Sequence, residues 1–411
     1  MLFLLAVLSL TASQSAAYQD PVGPTQPWGL RIAYGASPST SMSFIWSTRQ
    51  PVEGATITAT SAATGAVARA PAAPRVFTDS NNTQYIYNAT LTGLEPGASY
   101  SYVVGNASEL SPARSFSLAP ISPAGPWGAG RDYPVLAIYG DLGVDANAKK
   151  TLPLLYADVD AGRFDVALHV GDIAYDLQSA SGSSGDAFVV SIEPFASRVP
   201  NHLCPGNHES FGNLLDGDFL QYRRRFDIMP GGAEVRKAQS IFHSFNVGLL
   251  HVIMFSSEAF FDVGPFSLLL LPEMFAFVEA DLAAVNRTET PWIISMAHQP
   301  MYCSRNDDND DCHSLVSLMR DGLLGQFGFE ELINRYGVEM HFGAHEHAYE
   351  RNYPVFQYKW ANITGPAAYV DFNATVQMIS GAAGCPENTD PWVPGAANAF
   401  SAFRAADYGC E

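Results

Sequence analysis

Positive charge is scarce in this sequence. Against 41 Asp and Glu stand 22 Lys and Arg, giving a formal net charge of -19 and an isoelectric point near 4.8. A surface of that sign repels nucleic acid and anionic membranes, so neither is expected as a partner. Long apolar runs are also missing after the first residues. The run over 266–271 stops at Pro272, too short to cross a bilayer, so no membrane span is expected. No internal repeat, P-loop or serine nucleophile elbow is present, which removes those chemistries from consideration. Cysteine is sparse, at five in 411 residues. What is there is globular: 47% hydrophobic residues and a mean hydropathy of +0.02, enough to bury a core and long enough for two domains.

The N-terminus reads as an address. Residues 2–10 are apolar and Ser15-Ala16-Ala17 supplies small residues, so 1–17 is expected to be a signal peptide cleaved after Ala17. Six Asn-x-Ser/Thr sequons, at Asn81, Asn88, Asn106, Asn286, Asn362 and Asn373, agree with passage through a secretory pathway. In that oxidising setting five cysteines predict two disulfides and one thiol. Cys303 and Cys312 bracket a short loop and form the first expected pair. Cys385 with Cys410 is the second, leaving Cys204 as a buried free thiol at a strand end.

A change of rhythm divides the chain. Over 24–119 short β-like runs such as Ser43-Phe44-Ile45-Trp46 and Ser99-Tyr100-Ser101-Tyr102 alternate with turn residues, predicting a small antiparallel β-sandwich. Pro120, Pro123 and Pro126 with nearby glycines mark 120–133 as a linker. From 134 to 411 the pattern becomes strand, turn, helix. Buried-type strands are expected at 134–139, 164–170, 249–255, 292–297 and 338–342, and an amphipathic helix at 272–286. Such alternation predicts an α/β layered core, whose ligands gather at the carboxyl ends of strands.

The residues just past those strands form an ordered set. Gly140-Asp141 follows the first strand and Gly171-Asp172-Ile173-Ala174-Tyr175 the second. Gly206-Asn207-His208-Glu209 comes next, then His298, then Ala344-His345-Glu346-His347. A single Gly-Asp is usually a turn and a single Asn-His means little. Together, two carboxylates, an amide, a phenol and three imidazoles form an oxygen and nitrogen donor set suited to iron, manganese or zinc rather than copper–thiolate chemistry. His169, His251 and His341 lie inside strand-like runs and are expected to be hydrogen-bonded core residues.

This order of motifs, G-D-x-G, G-D-x-x-Y, G-N-H-D/E, V-x-x-H and G-H-x-H, resembles that of the purple acid phosphatases, within the calcineurin-like metallophosphoesterase superfamily. His298-Gln299-Pro300-Met301-Tyr302-Cys303-Ser304 and His347-Ala348-Tyr349-Glu350-Arg351 look especially like large animal-type forms. The resemblance implies a fibronectin type III-like all-β domain ahead of a metallophosphoesterase β-sandwich core flanked by helices. It implies that Asp141, Tyr175 and His347 bind Fe(III), that Asn207, His298 and His345 bind a divalent Fe, Zn or Mn, and that Asp172 bridges the two. His208 would face the phosphate and protonate the leaving oxygen, with Asn207 and His313 also touching substrate. The implied activity is that of a secreted acid phosphatase hydrolysing phosphate monoesters by direct attack of a metal-bound hydroxide, with small phosphate esters as partners. Its place would be outside the cell, or the lumen of an acidic secretory or lysosomal compartment. The resemblance also allows a homodimer.

Two departures stand out. Ser295 replaces the family's Val three residues before His298, and Ala344 replaces the glycine before His345, where a methyl group would strain a backbone of positive φ. The chain ends at Glu411, where family members usually continue, so a truncated C-terminus is expected. The acidic run Asp307-Asp308-Asn309-Asp310-Asp311 reads as a solvated loop. Two other readings stand beside the monoesterase: a phosphodiesterase or nucleotide pyrophosphatase on the same scaffold, and a catalytically weak secreted metal-binding glycoprotein.

Overall fold

The alternation in the first hundred residues becomes two facing sheets in the computed structural model. The structure describes residues 23–121, 125–210, 219–229, 240–261, 265–304, 316–360, 369–370, 373–389, 392 and 399–409. The expected signal peptide, Asn362, the acidic run, Cys312, His313 and Cys410 lie outside them. Strands β1 (Trp28–Tyr34), β2 (Met42–Thr48), β3 (Thr56–Ser61), β4 (Val67–Pro71), β5 (Pro74–Asp79), β6 (Asn82–Leu91), β7 (Ser99–Gly105) and β8 (Arg114–Ser117) form antiparallel sheets ordered β1-β2-β6-β5 and β4-β3-β7-β8. Inward side chains meet in an aromatic core. Trp46 stacks on Tyr87 with centroids 5.4 Å apart, and Phe116 packs on Phe44 and Tyr102. Each buried ring of this kind removes enough apolar surface to contribute about 2–3 kcal/mol.

The second half contains β9 (Leu136–Tyr139), β10 (Val166–Val170), β11 (Asn201–Cys204), β12 (His243–Val247), β13 (Leu250–Met254), β14 (Trp292–Met296), β15 (Met340–Gly343), β16 (Tyr349–Asn352), the hairpin strands β17 (Val355–Phe356) and β18 (Lys359–Trp360), β19 (Val376–Ser380) and β20 (Ser401–Ala405). One sheet runs β11-β10-β9, all parallel. The other runs β12-β13-β14-β15-β19-β16-β20, parallel from β13 through β19. Strand period two sorts the side chains. Ile138, Val166, Leu168 and Val170 of the first sheet share a buried cluster with Met254, Ile294, Met296 and Phe342 of the second. Ala137, Tyr139, Ala167 and Ile293, one position away, belong to a separate cluster with the helices. The Gly140 N–H just past β9 donates to the Ser380 carbonyl at the end of β19 at 2.7 Å, so the parallel strands of both sheets end on the same side and their following turns converge there.

Several expectations need correction. The helix expected at 272–286 runs Pro265–Ala284, with Pro272 inside it. Burial of Leu270, Leu271, Met274, Val278 and Leu282 in one cluster outweighs the N–H that the proline removes. His169 is buried, but neither ring nitrogen has a hydrogen-bond partner among the described residues; it lies against Tyr139, centroids 4.7 Å apart. His251 and His341 are hydrogen-bonded, His251 to Asn246 and Asp281 and His341 Nδ1 to Ser295 Oγ at 2.9 Å. Ser295 and His341 are neighbours across β14 and β15, so the first sequence departure is a hydrogen bond inside the core. Cys204 is free and buried. Cys385 is also free, against its expected pairing with Cys410; its thiol lies 3.4 Å from the Asn388 carbonyl. Asn81, Asn286 and Asn373 are exposed, whereas the Asn88 and Asn106 amides donate to the carbonyls of Asp227 and Glu53. Among the described residues no helix is long and apolar enough to cross a membrane.

Candidate metal centre

The turns after β9, β10, β11, β14 and β15 bring seven of the expected residues together. Asp141 (φ 58), Asp172 (φ 48), Tyr175 (φ 49) and His345 (φ 68) all adopt left-handed backbone conformations. Side chains in that region are strained, and such strain clusters at functional sites. Gly171 (φ +80) leaves no choice of residue, since a Cβ there would stand 2.4 Å from His298 Nδ1.

Two donor groups result. In the first, Tyr175 Oη lies 3.0 Å from Asp141 Oδ1 and 2.9 Å from His347 Nε2; His347 Nε2 is 3.4 Å from Asp141 Oδ1. In the second, Asn207 Oδ1 lies 3.0 Å from both His298 Nε2 and His345 Nδ1. His298 Nε2 is also 3.2 Å from Asp172 Oδ2. Asp172, His298 and His345 form a compact triad of potential metal ligands. Donors sharing one ion at about 2.1 Å stand roughly 3 to 3.4 Å apart, which these separations match.

The surrounding hydrogen bonds aim the donors inward. His298 Nδ1 donates to the Val170 carbonyl at 2.9 Å and His347 Nδ1 to the Asn388 carbonyl at 3.0 Å, leaving each Nε2 lone pair facing the donor group. Asp141 Oδ2 accepts the His345 N–H, and Asp172 Oδ1 the His208 N–H, both at 3.0 Å. Each aspartate thus spends one oxygen on a neighbouring turn and presents the other.

Electrostatics follow from packing anions among imidazoles. Burial lowers the His298 pKa, but the Asp172 carboxylate overrides it and raises the value to about 10. Burial would raise Asp172, yet His298, His208 and His345 hold it well below the usual carboxylate range. Burial, then the charges of Asp141 and Asp172, push the Tyr175 phenol well above 10. A phenol so placed gives up its proton only to a strong cation.

Three contributors escaped the sequence reading. Glu209 is buried and accepts the N–H of Ile173 on one turn and of Gly206 on another, both at 2.9 Å; burial and Asp172 raise its pKa to about 7. Asp176 Oδ1 holds His208 Nδ1 at 2.9 Å. Glu387 places a carboxylate oxygen 3.8 Å from His208 Nε2 and another 3.8 Å from His347 Nε2. Glu209 fills the acidic position of the G-N-H-D/E pattern and Asp176 directly follows Tyr175, and those places are their signal in the sequence.

Residues 27–118 match the purple acid phosphatase N-terminal domain, and residues 134–349 match the calcineurin-like phosphoesterase domain. Acid phosphatase type 7 of Mus musculus is 36% identical over 99% of this chain and 89% of its own length. The chain belongs to the purple acid phosphatase family. The acid phosphatase activity expected from the sequence goes with that membership. Acid phosphatase type 7 of Danio rerio is 40% identical over 79% of this chain and 70% of its own. A purple acid phosphatase from yellow lupin (Lupinus luteus) seeds shares the fold, with a TM-score of 0.73 at 22% identity over 95% of this chain and 70% of that one. Against this family frame Ala344 loses its expected strain: it is absent from the positive-φ residues, and the left-handed position is His345.

Proposed function

We propose that this chain is a secreted purple acid phosphatase that hydrolyses phosphate monoesters at a centre holding one Fe(III) and one divalent cation. Asp141, Tyr175 and His347 would hold the iron, Asn207, His298 and His345 the divalent ion, and Asp172 both. The observation that carries this reading is Tyr175 Oη standing within 3.0 Å of both Asp141 Oδ1 and His347 Nε2, because a phenol among two further donors suits a trivalent ion. Bound there, the cations would offset the phosphate charge and acidify a water enough to attack phosphorus in line, even at acid pH.

The protein's own groups supply the rest. Asp176 engages His208 Nδ1, which orients the ring with Nε2 beside the centre, 3.9 Å from Asp172 Oδ2 and 3.8 Å from Glu387 Oε1. Burial opposes a charged imidazole, but Asp176, Asp172 and Glu209 raise the His208 pKa to about 9. The Asp176 pairing favours the protonated imidazole, from which a proton can pass to the departing alkoxide. The overall charge of -19 repels anionic esters, so their capture falls to the centre itself. Secretion is supported by the apolar N-terminal segment and the exposed Asn81, Asn286 and Asn373 sequons.

Purified protein assayed on an aryl phosphate and a bis-aryl phosphate tests the reading. Preferential hydrolysis of the monoester is expected. Preference for the diester would make the chain a phosphodiesterase, and activity on neither, with no bound metal, a non-catalytic glycoprotein.

A further inference from the structure

The β-domain reaches the metal-site turn through one buried carboxylate. Tyr175 opens a loop that runs to helix Ser183–Ala196, and positive φ recurs along it at Asp176, Ala180, Ser181 and Gly182. Non-glycine residues leave that region unless their surroundings hold them. The loop's backbone bonds run within it: Ser179 N–H to the Asp176 carbonyl, Gly182 to Gln178, Ser183 to Ala180, Ser184 to Ser179 and Gly185 to Leu177.

Asp186, in the first turn of the helix, is fully buried and its N–H returns to the Gly182 carbonyl at 3.1 Å. Its carboxylate receives four donors. Arg49 Nη2 at 2.8 Å and Asn82 Nδ2 at 2.9 Å reach Oδ2, while Gln84 Nε2 at 3.1 Å and Arg225 Nη1 at 2.6 Å reach Oδ1. Three of the four come from the β-domain. Arg225 then closes the ring by donating from Nη2 to the Gly182 carbonyl at 2.9 Å, and Gln221 ties it to Asp79 of β5 at 2.6 Å.

We propose that Arg49 and Asn82 of the β-domain are positioning residues for the metal centre, fixing the 176–185 loop, and with it Tyr175 and the His208 partner Asp176, by anchoring Asp186. In this account the β-domain is part of the assembly of the active site and not merely an appended module. The claim that this matters to a metal ligand rests on the Tyr175 assignment above; the claim that the loop is held this way does not.

The test compares two disruptions of the same domain interface in the full-length protein as isolated. Arg49→Met with Asn82→Ala removes two anchors, and the Asn81 sequon survives. Arg75→Met breaks the Arg75–Asp227 pair, 2.5 Å apart, which joins the same two domains without touching Asp186. Hydrogen exchange of amides 177–186 is expected to rise about tenfold or more in the first and stay within about threefold of wild type in the second. Release of bound metal to a chelator is expected to follow the same pattern, about tenfold faster in the first only. Equal acceleration in both proteins, or less than about threefold in the first, overturns the proposal. If the double variant does not fold, Asn82→Ala alone, with both arginines kept, is judged by the same comparison. A protein without bound metal would sink the Tyr175 assignment while the exchange measurement still decides the anchoring.

Discussion

Ala344 and Gly140 meet across the ends of the two sheets: a Cβ on Gly140 would stand 2.4 Å from the Cβ of Ala344 and 2.9 Å from the Val170 carbonyl. The methyl that departs from the family pattern therefore sits in a gap that Gly140 leaves for it. Ala344 N–H also donates to the His298 carbonyl at 2.8 Å, linking two ligand turns. Ala344→Gly should cost about 0.5–1 kcal/mol through backbone freedom and leave metal content unchanged. Gly140→Ala should cost about 1–3 kcal/mol from overpacking and reduce bound metal. Thermal unfolding with metal analysis of both variants checks the pair; reduced metal in Ala344→Gly would contradict it.

His208 is expected to matter to chemistry and not to the ions. His208→Ala should lower kcat by about 10²–10⁴-fold with two metals still bound. Steady-state kinetics on the monoester alongside metal analysis decides this, and loss of metal would make His208 a ligand instead.

Glu209 ties two ligand turns through buried N–H groups. Glu209→Ala leaves both donors unpaired, at about 1–3 kcal/mol each, and should weaken metal binding by about 10–100-fold. Chelator competition reads the second effect. Unchanged affinity would confine Glu209 to a role in stability.

Asp186 sets an acid limit on the fold. Burial alone would raise its pKa, but Arg225, Asn82 and Arg49 lower it below 3.8. A depressed carboxylate contributes stability that is fully present above the unfolded value and is lost as pH falls through the folded one. Asp186→Asn, which strands Arg225, should cost about 3–5 kcal/mol. The gap from wild type should hold from about pH 7 to 5 and narrow only below about pH 4. Denaturant unfolding across that range is the check, and a gap that closed by pH 5 would refute it.

Much of the centre was legible because the expected ligands keep family order and all but Asn207, which follows the unanticipated β11, come after a recognisable strand. Asp141, Asp172 and His298 announce themselves by position. Glu209 and Asp186 do not, since their meaning depends on turns and a domain brought together from far along the chain. Pro272 misled for the opposite reason: a local breaker was overruled by apolar residues buried on both sides of it. Ser295 reads as a lone substitution until β15 sets His341 beside it.

The central claim is that Tyr175 completes an Fe(III) site beside a divalent one. A visible absorption spectrum of the purified protein, recorded with its metal content and repeated on Tyr175→Phe, tests it most directly. The account predicts a coloured protein with about two metals per chain, one of them iron, whose tyrosinate band vanishes in the variant. A colourless wild-type protein holding only zinc, or a band that survives the loss of Tyr175, would contradict it.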